Sequence, residues 1–475
     1  MTIWLDVTTM LGWGRPALGI VRVEAETARH FLSVADEGIR FCCFDGGGGR
    51  GYSEVGREAI RSALTRLDGR AEVAPAAAPQ APQEAVPVAA AATSREQRLK
   101  RRLLGLMARL PLRYRDRAYR FALARREAFH GFVRAYREAR VAAAVMRRGS
   151  HRGDGYLQPV SALPAEPPSP AEPPFVCGDV YVSLGLDWDQ KNLVYLYELK
   201  CRLGLKVLLF CYDIIPIWLP HLCVADVAAK FPRYFADAAW CADRILCISD
   251  CSRRDLRQFL ESVGAPLPEL GVVRLGCEIL AVSEEPPSRD VAEVLVRRFI
   301  LYVSTIERRK NHETLYRAYT RLIDEGRADL PLLVFVGMPG WGVNDLMSDL
   351  HSDFRIRPYL RILNQVSDND LSLLYEKAYL TVYPSLYEGW GLPVAESLAH
   401  GRFCLASGAA SIPEVGGDLV EYLDPWDVPA WAQRLLWHFD HPDELREREA
   451  AIRSNYLQTT WQETGAAVLA AAAAL

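Results

Sequence analysis

The sequence predicts an α/β protein of two parallel-sheet domains, and three observations carry that expectation. Its 475 residues exceed what one hydrophobic core usually holds, and suit two domains of about 150–200 residues plus an insertion. Strand-like runs alternate with helical patterns: DVYVSL (179–184), KVLLFCYDIIP (206–216), DRILCIS (243–249), GVVRL (271–275), FILYVST (299–305), LPLLVFVG (330–337) and LTVYPS (380–385). Such alternation covers both faces of a parallel sheet with helices. The chain also opens as a strand (IWLDV, 3–7), a loop containing Gly12, Gly14 and Gly19, and a helical pattern, IVRVEAETARHFL. In folds of this kind ligands sit at the carboxyl ends of the strands, where helix N-termini gather.

Composition narrows the function classes. With 50% hydrophobic and 24% charged residues the chain has the balance of a globular protein, and a net charge of −3 gives no chain-wide attraction to nucleic acid, so no nucleic-acid partner is expected. The 11 cysteines include no CxxC pair and no zinc-like His/Cys spacing, which reads as reduced thiols. The N-terminus lacks a basic leader, and the longest apolar run, VLLFCYDIIPIWL, is broken by Asp213. Neither a signal peptide nor a membrane span is expected, and the expected compartment is the cytoplasm.

An insertion interrupts the first domain. Residues 71–93 are Ala/Pro-rich and 161–175 Pro-rich, which reads as two linkers. Between them, Arg95 to Arg148 carries 17 Lys/Arg against 4 Asp/Glu, with Leu99, Leu103, Leu106, Met107 and Leu110 near helical spacing. Arginines interleaved with Leu, Tyr and Phe suit peripheral contact with an anionic membrane surface at its cytoplasmic face; a solvated helical hairpin is the equal alternative. The expected domains are 1–285, including the linkers and basic helical insert at 71–175, then 286–450, and a C-terminal helix in 451–475 that returns to the first domain.

The segment YPSLYEGWGLPVAESLAHG (383–401) is the most informative. A strand ends, glycines allow close backbone approach, and a helix starts with proline in its first turn, so free N–H groups face any anion placed there. Glu388 and Glu396 stand eight positions apart around Gly389, Trp390, Gly391, Leu392 and Pro393. This pattern resembles the donor-site signature of the retaining GT-B glycosyltransferases of sequence family four, the group 1 glycosyl transferases of bacterial polysaccharide type. The resemblance implies a GT-B fold, two Rossmann-like domains with a deep cleft between them. It also implies that Glu396 receives ribose hydroxyls and that Glu388 sits beside the donor sugar.

A second stretch, YVSTIERRKNHETLYRAY (302–319), resembles the family's strand–loop–helix that holds the donor diphosphate, which places Arg309 and Lys310 on the leaving group. Basic residues oppose the dipole at a helix start, so an anionic ligand explains them better than a solvated turn. Gly337 ends another strand at the same site. In the N-terminal half, GIVRVEAE (19–26) resembles the loop that closes over the donor phosphate, with Gly19 and Arg22; a core-packing helix start is the alternative. Asp213, in a segment where the family often has His-Asp and this chain has Tyr212, is expected to orient acceptor or sugar hydroxyls.

The resemblance implies transfer of a hexose, mannose or rhamnose, from a nucleotide-diphosphate sugar to a glycan or lipid-linked acceptor in cell-surface polysaccharide synthesis such as lipopolysaccharide. The alternative is an inactive sugar-nucleotide-binding or membrane-scaffolding relative. Asp187-Trp188-Asp189 and Asp368-Asn369-Asp370 fit an Asp-x-Asp metal pattern superficially. Because Arg309, Lys310 and a helix N-terminus already supply positive charge, no metal or other cofactor is expected.

Overall fold

The computed structural model describes residues 1–14, 17, 19–45, 51–68, 172–278 and 286–475. The basic insert and nearly all of both linkers therefore lie outside the described residues. Residues 1–71 and 168–475 form one unit, and it contains two sheets.

The first sheet holds β1 (Ile3–Asp6), β2 (Ile39–Asp45), β3 (Gly51–Val55), β4 (Val180–Ser183), β5 (Lys206–Cys211), β6 (Arg244–Cys247) and β7 (Glu269–Val272), in the order β3-β2-β1-β4-β5-β6-β7. All pairings are parallel except β2 with β3. The second sheet holds β8 (Phe299–Val303), β9 (Leu332–Val336), β10 (Leu360–Leu363), β11 (Leu380–Tyr383), β12 (Cys404–Ser407) and β13 (Glu421–Leu423), in the order β10-β9-β8-β11-β12-β13 and wholly parallel. Every residue of β1, β4, β9, β11 and β12 is buried, as expected of strands covered on both faces. Each sheet runs outward from its first strand and then reverses on that strand's other side. The reversal points, between β1 and β4 and between β8 and β11, are where such sheets open a crevice at the carboxyl ends of their strands.

The C-terminal segment contains two helices where the sequence suggested one. Pro442–Asn455 buries Leu445 and Ile452 in the core of the second sheet, so the expected boundary at 450 falls inside a helix. Trp461–Ala473 then packs on Ile20–Ser33 of the first domain. A Cβ on Gly465 would stand 2.5 Å from the Cβ of His30, so glycine lets the two helices approach. Among the described residues no helix is long and apolar enough to cross a membrane.

The first reversal point is filled by the protein's own charges. Lys191, 1% exposed at its side chain, places Nζ 2.5 Å from Asp6 Oδ1 and 3.6 Å from Asp187 Oδ1, and donates to the Ser183 and Tyr181 hydroxyls at 3.2 Å. Asp187 is thus an ion-pair partner that also accepts from Ser183, while Asp189 pairs with Lys230. In the second Asp-x-Asp triplet, Asp370 accepts the Ser288 amide. Glu24 completes the buried group: its Oε1 accepts the Met10 amide, and its Oε2 has no partner among the described residues.

Burial drives the Glu24 pKa up to about 8 against the pull of Lys191, so the side chain is held protonated near neutrality. Between its ordinary value and about 8 the folded chain binds a proton that the unfolded chain has released. Stability from this group is therefore highest at low pH and falls by about 1.4 kcal/mol per unit as pH rises through that window. Urea unfolding at pH 5.5 to 7.5 should show that slope in the wild type relative to Glu24→Gln; parallel profiles would contradict it.

Candidate active site

The second reversal point brings two loops together because β8 and β11 are neighbours. After β8 the chain forms a tight turn at Arg308–Lys310, passes through Asn311 in the left-handed region (φ 57°), and enters helix His312–Asp324. Asn311 locks this turn: its amide donates to the carbonyls of Pro384 (3.0 Å) and Pro425 (2.8 Å), and its oxygen accepts from Thr314 (3.0 Å). After β11 the chain runs through 384–391 into helix Leu392–Ala399, with Pro393 in the first turn and Gly391 at φ 134°. The loops are stitched by the Arg309 carbonyl, which accepts the Leu386 amide at 2.8 Å and the Ser385 hydroxyl at 3.2 Å.

This stitching places Arg309 and Lys310 on Glu388. Arg309 Nη1 lies 2.7 Å from Glu388 Oε2, and Lys310 Nζ lies 2.6 Å from Oε1, which also accepts the Ser385 hydroxyl at 2.5 Å. Glu388 is 7% exposed. Burial alone would raise its pKa, but the two cations outweigh burial and hold it at about 2. Burial, helped by the charge of Arg309, lowers the Lys310 pKa against the pull of Glu388. Asp213 arrives from the carboxyl end of β5, its Oδ1 accepting the Ile215 amide at 3.0 Å. Burial raises its pKa against the nearby charge of Arg309. The structure thus gathers Glu388, Arg309, Lys310 and Asp213 from both domains. Arg309 and Lys310 both bond Glu388, and Arg309 also lies 4.0 Å from Glu307 and feels the charge of Asp213.

Glu396 lies on helix Leu392–Ala399 and accepts the Tyr375 hydroxyl at 2.8 Å. Burial raises its pKa against that bond and against the charge of Arg22. Arg22 lies on the other domain, at the start of the helix that Gly19 (φ 54°) introduces. Arg22 donates to the Glu278 carbonyl at 2.6 Å and lies 5.5 Å from the Trp461 ring centroid.

Four expected donor-site positions prove to have packing reasons of their own. A Cβ on Gly337 would stand 2.1 Å from the Ser304 carbonyl oxygen, and one on Gly389 would stand 2.4 Å from that of Tyr212. Trp390 is buried in the core of the first domain and Leu392 packs against the same cluster. Gly389, Trp390 and Leu392 seat one domain on the other, whereas Gly337 lets the ends of β8 and β9 approach within the second domain. Asn311 was missed by sequence reasoning, although an Asn directly after Lys310 at a helix start is a left-handed-turn signal. Tyr302, whose hydroxyl donates to the Lys310 carbonyl at 2.5 Å, was missed as well. Among the described residues no three His, Cys, Asp or Glu side chains converge as metal ligands would.

Two largely parallel sheets, each reversing on the far side of its first strand, place the chain in the GT-B class. Residues 288–454 match the family described as Glycosyl transferases group 1, and this C-terminal domain belongs to it. Among curated relatives, the chain is 31% identical over 255 residues to O-antigen chain mannosyltransferase B of Escherichia coli, covering 52% of this chain and 65% of that one. It is 28% identical over 196 residues to the serotype-specific mannosyltransferase WbdA of Escherichia coli, covering 39% and 24%. The chain thus spans less than two thirds of either relative's length. A solved structure, sucrose-phosphate synthase from Thermosynechococcus elongatus, aligns with 62% of this chain and 72% of its own at 17% identity and a TM-score of 0.46.

Proposed function

We propose that the chain is a retaining glycosyltransferase that moves a hexose from a nucleotide-diphosphate sugar to a growing cell-surface glycan, with mannose as the sugar. The observation that carries this reading is the pairing of Glu388 with Arg309 and Lys310 at the reversal point of the second sheet. The relatives described as O-antigen mannosyltransferases support the choice of sugar and pathway class.

In this reading the ribose hydroxyls donate to Glu396, and the diphosphate lies against Arg309 and Lys310, with Arg22 closing from the first domain. The bond between the anomeric carbon and the phosphate oxygen breaks, and its electrons leave with the nucleoside diphosphate. Arg309 and Lys310 neutralise that growing charge, while Glu388 stabilises the positive charge developing on the sugar. An acceptor hydroxyl, oriented by Asp213, forms the new bond on the face the leaving group vacates and gives up its proton to the departing phosphate oxygen.

The test is incubation with GDP-mannose, UDP-glucose and dTDP-rhamnose in the presence of oligomannose or lipid-linked acceptors, with the product's anomeric configuration read by NMR. Transfer from GDP-mannose with retention is expected. An inverted product, or no transfer from any of the three by the folded chain, would overturn the proposal.

A further inference from the structure

The loop carrying Glu388 is gripped by the other domain as well as by its own. Helix Asp250–Val263 of the first domain points its N-terminus at the second, where Glu414 accepts the Asp250 and Cys251 amides, each at 2.7 Å. A carboxylate supplied there by the opposite domain is favoured by the helix dipole. Ser252 follows, its hydroxyl 3.0 Å from the Tyr212 carbonyl of its own domain and 3.3 Å from the Gly389 carbonyl of the other. One turn further on, Asp255, 9% exposed, accepts the Tyr387 hydroxyl at 2.6 Å.

Tyr387 directly precedes Glu388 and reaches the active site through its backbone. Its carbonyl accepts Arg309 Nη1 at 2.7 Å, and the same nitrogen lies 2.7 Å from Glu388 Oε2. A continuous path therefore runs from Asp255 in the first domain, through the Tyr387 ring and carbonyl, to Arg309 and Glu388 in the second. The path closes only when helix Asp250–Val263 is docked.

Resting on the function proposed above, we propose that Tyr387 is a positioning residue that brings Arg309 and Glu388 into register when Asp255 of the opposite domain holds its hydroxyl. Domain docking and assembly of the charge-stabilising pair are then one event, and an undocked chain keeps its bound donor from premature cleavage.

Tyr387→Phe removes only the hydroxyl, Asp255→Ala removes the acceptor, and Asp255→Asn keeps an oxygen that accepts. Tyr387→Phe and Asp255→Ala should each lower kcat about tenfold, the size of a broken side-chain coupling, with affinity for GDP or UDP changed less than about twofold. The double variant should be no slower than either single one, and Asp255→Asn should retain most of the rate. Hydrogen exchange at the amides of 386–391, measured without any substrate, should quicken alike in Tyr387→Phe and Asp255→Ala. Unchanged kcat in Tyr387→Phe, multiplicative losses in the double variant, or unchanged exchange in both single variants would overturn the proposal. A wild-type chain that transferred no sugar would overturn the function proposed above, whereas the exchange comparison would still decide whether Asp255 positions the loop.

Discussion

Glu388→Gln should lower sugar transfer by about two to three orders of magnitude, the usual loss when a preorganised charge at the reacting centre is removed. The substitution is nearly isosteric and keeps an oxygen for the Ser385 hydroxyl, so loss of negative charge is the main change. Its effect on the empty protein is separate. Arg309 and Lys310, 17% and 14% exposed at their side chains, would face each other without the carboxylate. Breaking a buried pair in this way costs about 3–5 kcal/mol. A bound nucleoside diphosphate restores the missing negative charge. GDP or UDP should therefore raise the unfolding temperature of Glu388→Gln by more than that of the wild type, even as turnover falls. A variant that unfolds easily and is not rescued by the diphosphate would mark Glu388 as structural only. One that transfers at the wild-type rate would remove it from the chemistry.

Lys310→Met should have an effect of similar size with a different signature. Methionine fills much of the lysine's volume beside Tyr383, to whose hydroxyl Lys310 donates at 3.3 Å, so packing is largely kept. Arg309 still balances Glu388, and the site stays intact with one cation fewer for the departing diphosphate. Because the diphosphate carries more charge after the bond breaks than before, the loss falls on the transition state more than on donor binding. Steady-state kinetics should show kcat down by about two orders of magnitude and donor KM up by much less. A rise in KM with unchanged kcat would assign Lys310 to ground-state binding alone.

Sequence legibility followed the range of the interactions. The loop after β8 and the loop and helix after β11 were readable because each is local: β8 runs directly into a basic turn and a helix, and β11 runs directly into glycines and a proline-started helix. Their convergence was readable too, through the carboxyl-end rule for parallel sheets. Strand β12, fully buried but only four residues long, was not anticipated, nor were the short strands β10 and β13 and the antiparallel pair β2 and β3. With three to seven residues and mixed burial, such as the alternately exposed Arg40 in β2, the latter strands lack the unbroken apolar run that marks β5 or β9. Gly389 and Trp390 illustrate a different limit. The family pattern places them by the donor, yet the close Tyr212 carbonyl and the first domain's core give each a structural reason visible only in three dimensions. The bond between Tyr387 and Asp255 spans 132 positions, and no local pattern could announce it.

The most direct test of the central claim, that Glu396, Arg309 and Lys310 form a nucleoside-diphosphate site, is calorimetric titration of GDP, UDP and dTDP into the wild type and Glu396→Gln. Saturable binding of at least one is expected, weakened by about 10- to 100-fold in the variant, as loss of charge-assisted hydrogen bonds to the ribose requires. No binding of any of the three to a folded wild type, or equal binding in the variant, would contradict it.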